Sequence, residues 1–219
     1  MKNIVALLTV FILFMTQSAS AELYDPDEVQ VYIVPMIDFP EPAAAQLSKI
    51  LSDDMKIWVK SSVRLGDLEA AILPGTRQLS GDSVIEKSYP IVTKLPGSSK
   101  NTVYVLLTTR DINSETGAFR FQFSMHHSEM RVSVVSMARM IEFVDDKPVV
   151  NYLVLNRLYK MCKRAIGEQY FGWKRSTDIN DIMYSPIMGM PDLDRIGIHH
   201  KENDDENEVE PVDKNRISI

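Results

Sequence analysis

Few side chains in this sequence can make or break bonds, and their spacing narrows the choice further. There is one cysteine, Cys162, so no internal disulfide can form. It lies among apolar neighbours in a helical pattern and reads as a buried, inert thiol rather than a nucleophile. The four histidines come as two adjacent pairs, His126-His127 and His199-His200. Adjacent residues of a strand point to opposite faces, so His126 and His127 do not easily grip one ion together. His199 and His200 precede an acidic run; incidental metal binding is one reading and a solvated linker the favoured one. Asp178, Asn180 and Asp181 lack the glycine and distal glutamate of a calcium loop and read as a turn. No glycine-rich phosphate loop and no G-x-S-x-G is present. From residue types alone there is no catalytic set, no metal set and no cofactor motif.

The elements that would position these residues follow from apolar spacing. Val29 to Pro35 is β-branched and aromatic and predicts a first strand. Ala43 to Trp58 has near-helical apolar spacing, entered through Pro40 and Pro42. Lys60 to Leu68 alternates loosely and suggests a second strand. Several turn signals surround Val84 to Val92. Val103 to Thr109 is nearly all apolar, as expected of a central strand covered on both faces. Phe119, Phe121, Phe123 and Met125 alternate with Arg120, Gln122 and Ser124, predicting a half-exposed strand at a sheet edge. Met130 to Met137 predicts another strand. Val149 to Trp173 is the longest helical pattern, with Tyr152, Leu155, Tyr159, Cys162, Ile166, Tyr170 and Trp173 along one side. This order predicts an α/β (α+β) single domain, a mixed sheet packed with helices.

Composition agrees with one ordinary domain. The chain has 219 residues, 45% of them hydrophobic, and a net charge of −6, which argues mildly against a nucleic-acid surface. Lys2, the apolar run Ile4 to Met15 and Ala19-Ser20-Ala21 have the layout of a signal peptide over residues 1–21, cleaved before Glu22. The run is short for a membrane span, so the expectation is an exported chain, periplasmic or secreted, with no stable span after cleavage. Residues 22–200 form the expected domain. Residues 201–219 hold seven acidic residues between Glu202 and Asp213 and read as a solvated, disordered tail.

Beside this reading stands a resemblance. Lys163-Arg164-Ala165-Ile166-Gly167-Glu168-Gln169-Tyr170-Phe171-Gly172-Trp173-Lys174 is similar to the zinc helix of the metzincins, H-E-x-x-H-x-x-G-x-x-H, in the H-E-L-G-H form of archaemetzincins. Ile-Met-Tyr-Ser-Pro around Met183 is similar to the Met-turn that follows. Tyr32 to Pro40, Val105 to Ile112, Phe119 to Phe123, Val132 to Arg139 and Pro191 to Asp194 resemble further archaemetzincin segments in the same order. The resemblance spans about residues 29 to 197 and implies the metzincin fold. It also implies that the zinc site is gone. Arg164 and Glu168 stand where the first two histidines would be, Ala165 where the catalytic glutamate would be, and Lys174 where the third histidine would be. Gly172 falls one residue later than the signature's glycine, which loosens the Lys174 assignment. The family's two downstream cysteines are absent after Trp173. Protonated arginine and lysine do not ligate zinc.

The expectation is therefore an exported, non-catalytic homologue of an archaemetzincin-type metalloprotease that binds a peptide or protein partner. It would carry no catalytic residue, no metal, no cofactor and no nucleic acid. Arg164 and Glu168, four apart, are expected to pair. The partner would dock by strand addition at Phe119, Phe121 and Phe123, beside a helix made basic by Lys163, Arg164, Lys174 and Arg175; an exposed helix face is the plainer reading of those charges. The alternatives are an active metal-dependent peptidase with an altered site, perhaps using Glu168, and an unrelated α/β protein. The acidic tail folding back on the basic helix is a further possibility for the groove.

Overall fold

A computed structural model describes residues 28–116, 119–145 and 147–201. The expected leader (1–21) and the expected tail (201–219), apart from Lys201, which bonds Asp178 and Asp181, fall outside the described residues. Within them the chain order is β1 (Val31–Pro35), α1 (Glu41–Met55), β2 (Val59–Ser61), β3 (Leu79–Ser80), α2 (Gly81–Val92), β4 (Val103–Thr108), β5 (Ile112–Asn113), β6 (Ser124–His127), β7 (Val132–Ser136), β8 (Glu142–Val144), β9 (Lys147–Val149), α3 (Tyr152–Ile166) with a π-helical turn (Gly167–Phe171), and α4 (Met190–Arg195). The main sheet runs β2-β1-β4-β7-β6, parallel except for β6 at one edge. Two short two-stranded pairs, β3-β5 and β8-β9, flank it.

Period-two geometry sorts the strands into two cores. Val31, Ile33, Val103, Val105, Leu107 and Val135 face one side, where Leu51 of α1 and Leu158, Cys162 and Ile166 of α3 cover them. Tyr32, Val34, Tyr104, Leu106, Val132 and Val134 face the other, against Val84 and Ile85 of α2. The sheet is thus a middle layer, and β1, β4 and β7 are buried at every residue. That explains why β1 and β4 read as nearly unbroken apolar runs, while β7 buries Ser133 and Ser136 as well.

The helix boundaries have local causes. α1 begins with Pro42 in its first turn and ends where Lys56 turns left-handed at φ 57°. α2 is capped by the Ser80 hydroxyl, which accepts from the Ser83 amide at 3.0 Å. The sequence reading sees only turn signals there, because Gly81 and Pro90 are helix breakers; Pro90 is tolerated in the last turn. The second strand is only Val59–Ser61, not Lys60 to Leu68. The edge strand is also displaced from the expected Phe119 to Met125. Pairing with β7 begins at Ser124, opposite Val135, and ends at His127. Phe119, Phe121 and Phe123 lead into it as irregular chain that bends at Phe119, Arg120 and Phe123; the Gln122 amide donates to the Ile112 carbonyl at 3.1 Å and the Ser136 amide to the Phe123 carbonyl at 2.9 Å.

Candidate functional site

The long helix α3 starts at the side chain of Asn151, which accepts from the Val154 amide at 3.0 Å. Arg157, near its start, is locked by Asp194 of α4 through Nε–Oδ1 and Nη2–Oδ2 contacts of 2.6 and 2.8 Å. Its other end widens into the π-helical turn, which Gly172 closes at φ 70°. Trp173 then folds back onto the helix. A Cβ at Gly167 would lie 2.0 Å from a Trp173 ring carbon, so only glycine fits under that ring. Trp173 is stacked between Phe171 and His200, at centroid distances of 5.3 and 4.7 Å. His200 is therefore a packed residue and not part of a solvated linker; its Nδ1 also lies 3.2 Å from Asp181.

Arg164 is the pivot. Only 3% of it is exposed, and its Nη1 donates to the Tyr184 carbonyl at 2.8 Å and to the Ile182 carbonyl. It thereby fixes the turn that carries Met183, which is fully buried in the core shared with α3. Asp181 holds the turn from the other side, accepting from the Met183 amide at 2.7 Å and the Lys201 amide at 3.1 Å. Burial, then Arg175, pull the Arg164 pKa down to about 10, against the pull of Glu168 and Asp181. It stays charged at neutral pH.

Over Arg164 lies a cavity of about 570 Å³. Phe119, Arg120, Phe121, Gln122, Phe123, Ser124 and His126 form one wall; Met161 and Arg164 of α3 line it too; Arg175 and residues 185–188 complete it. The structure thus brings Phe119, Phe121 and Phe123 together with Arg164 around one groove. The other expected positions lie elsewhere. Ala165 is buried in the core. Lys174 is exposed outside the cavity lining. Lys163 turns to α1, where it meets Asp54 at 2.6 Å. Arg164 and Glu168 do not pair as expected: Glu168 bonds Arg175 at 2.5 Å, and Arg164 is drawn to the carbonyls of the following turn. The lining cations are thus Arg120, Arg164 and Arg175. Arg120 was not legible because its place between two phenylalanines assigns it to the open face of a regular strand.

His126 was also not legible as a cavity residue. Its Nδ1 is 2.8 Å from the Ser133 hydroxyl and its Nε2 3.0 Å from that of Ser124. Burial, with Arg175 and Arg164 close by, depresses its pKa to about 3, so the ring is neutral. His127 faces away and accepts from the Met130 amide at 3.2 Å. Cys162 is buried, and burial raises its pKa.

No family model matches the chain, and no curated protein matches it. Three solved structures do. A zinc-dependent peptidase from Methanocorpusculum labreanum (strain Z) superposes with a TM-score of 0.64 at 19% identity, covering 78% of this chain and 95% of the other. Archaemetzincin from Methanopyrus kandleri gives 0.57 at 16% identity, covering 81% and 92%. Archaemetzincin from Archaeoglobus fulgidus, solved with malonate, gives 0.59 at 19% identity, covering 78% and 94%. The chain has the archaemetzincin fold. That fold implies a zinc ion at the helix of Arg164, and the donor chemistry of this archaemetzincin-like chain does not fit one. At the ligand positions read from the helix, Arg164 and Lys174 are cations and Glu168 is held by Arg175. The histidine lining the cavity has both ring nitrogens within hydrogen-bond reach of serines. Among the described residues no group of three His, Cys, Asp or Glu is placed to hold a metal.

Proposed function

We propose that this chain is an exported, non-catalytic relative of the archaemetzincin-type peptidases that binds a peptide or protein segment in the groove over Arg164. One observation carries the reading. Arg164, which the helix register sets at the first ligand position, is buried, bonded to the carbonyls of Ile182 and Tyr184, and holds the methionine turn in place. A guanidinium there supplies neither a zinc ligand nor a base for activating water. What persists is the means of aligning a peptide: an antiparallel edge strand β6, the aromatic approach Phe119 to Phe123, and a facing wall at residues 185–188. The export half of the proposal stands on the leader-like residues 1–21. Among the described residues no helix is long and apolar enough to cross a membrane.

The test is a pair of measurements on protein purified without a metal-affinity tag. Zinc per chain is read by elemental analysis after dialysis. Hydrolysis and retention are read with a fluorogenic peptide library, in solution and immobilised. Retention of a peptide subset without cleavage, at substoichiometric zinc, is the expected result. About one zinc per chain together with chelator-sensitive cleavage overturns the proposal in favour of an active peptidase with an altered site.

A further inference from the structure

We infer that the cavity over Arg164 is a carboxylate seat, which takes an aspartate or glutamate side chain of an acidic partner peptide laid along the groove. The inference rests on the peptide-binding reading above and names what the peptide must carry.

A charged guanidinium that is 97% shielded from water needs acceptors. The structure gives Arg164 two, both at Nη1. Its Nε and Nη2 have no acceptor among the described residues and are not closed off from water, and Arg164 lines the cavity. The nearest carboxylates are committed elsewhere: Glu168 to Arg175, and Asp181 to the amides of Met183 and Lys201 and to His200. Arg120 adds a cation with no ion pair to the lining, Arg175 adds one that Glu168 already pairs, and among the described residues no carboxylate lines the cavity. The chain as a whole is acidic, at −6, so this is a local reversal of sign. The rest of the lining suits a carboxylate as well. Ser185 offers a hydroxyl group, His126 is neutral, and Phe121, Phe123 and Met161 give the lining apolar surface.

The seat continues outward. A second cavity, of about 510 Å³, shares Arg120 and Phe121 with the first and adds Arg77. Arg139 in that cavity is already paired with Asp111 at 2.5 Å. Arg77 and Arg120 are the cations there with no ion pair among the described residues. An extended peptide crossing Phe121 would thus meet cations at both ends of the groove, and alternate acidic residues fall on one side of such a strand.

The test uses the full chain and a fluorescein-labelled, C-terminally amidated hexaglutamate, with hexaglutamine as the uncharged control, in a polarisation titration. Hexaglutamate is expected to bind about tenfold more tightly than hexaglutamine, and to weaken as NaCl rises from about 50 to about 500 mM. Arg164→Gln should remove the difference. Because Arg164 also holds the 182–184 turn, the exposed Arg120→Gln, which breaks no ion pair among the described residues, is the second variant, with an expected loss of about threefold. Lys174→Gln, outside the lining, should change nothing; an equal loss there reduces the effect to general attraction and overturns the seat. Equal binding of the two peptides removes the seat and leaves peptide binding standing. Binding of neither peptide removes both, provided that a chain with the seven acids of residues 202–213 changed to amides also binds neither. Binding only to that neutralised chain supports the seat and makes the chain's own acidic segment its occupant.

Discussion

Acidifying the protein tests the groove through His126, a half-buried residue of its lining. In an unfolded chain this imidazole takes a proton near its ordinary value of 6.5; in the fold, burial and the two arginines hold it neutral down to about 3. The folded value is lowered for a base, so the effect is absent well above pH 6.5. It grows as pH falls through 6.5, because only the unfolded chain then binds the proton, and it levels off near pH 3. Between about pH 7 and about pH 5 the proton taken up by the unfolded state costs the native state at most about 2 kcal/mol from this one residue. The groups facing the ring are Arg164 and Arg175, whose charges do not change in that window, and the hydroxyls of Ser124 and Ser133. The assay is urea unfolding of wild type and His126→Gln at both pH values. Glutamine keeps a donor and an acceptor toward the serines, and the other histidines cancel in the difference. Wild type should lose up to about 2 kcal/mol more than the variant on acidification. A His126 ring resonance that titrates near pH 6, or parallel loss of stability in the two proteins, would refute the argument.

Other perturbations probe the supports of the site. Asp194→Asn removes the charge that Arg157 grips in two bonds and leaves a 6% exposed guanidinium with the Met140 carbonyl and Glu142. Because Asp194 is one-third exposed, the expected loss is about 1–3 kcal/mol rather than the full cost of a buried orphan, read as a lower urea midpoint. Gly167→Ala drives a methyl into the Trp173 ring; overpacking of about 1–3 kcal/mol outweighs the roughly 1 kcal/mol that alanine gains in a helix, so Tm should fall and the near-UV tryptophan signal change. Cys162 should resist iodoacetamide in the native protein and react only after unfolding; fast native labelling would contradict its burial.

Much of the frame was legible because burial on both faces leaves no room for ambiguity. β1 and β4 carry apolar residues at every position or nearly so, and α3 shows its stripe over four turns. What was lost was lost to local signals that tertiary contacts override. Pro90 and Gly81 hid α2. The alternation Phe119-Arg120-Phe121-Gln122-Phe123 predicts a regular strand, but the chain bends at Phe119, Arg120 and Phe123 and bridges only at Gln122, to Ile112; Phe121 lies edge-on to Phe123 at 5.2 Å and under the Arg139 guanidinium at 5.0 Å. At the site, Arg164 was placed by its register in the helix. Its partners were not, because the carbonyls of Ile182 and Tyr184 have no side-chain signature, and a spacing of four residues favours Glu168 only where nothing nearer competes.

The strand order also sets a timetable. Val31 of β1 pairs with Val103 of β4, 72 residues later, and β4 in turn waits for β7. At ribosomal rates of roughly 5–20 residues per second, β1 exists for roughly 4–14 seconds before its inner neighbour has been made. Throughout that interval Val-Tyr-Ile-Val-Pro, five residues that end up wholly buried, has only β2 to pair with. The sheet cannot close from its N-terminal side, and completion must wait for the segment that ends at Ser136.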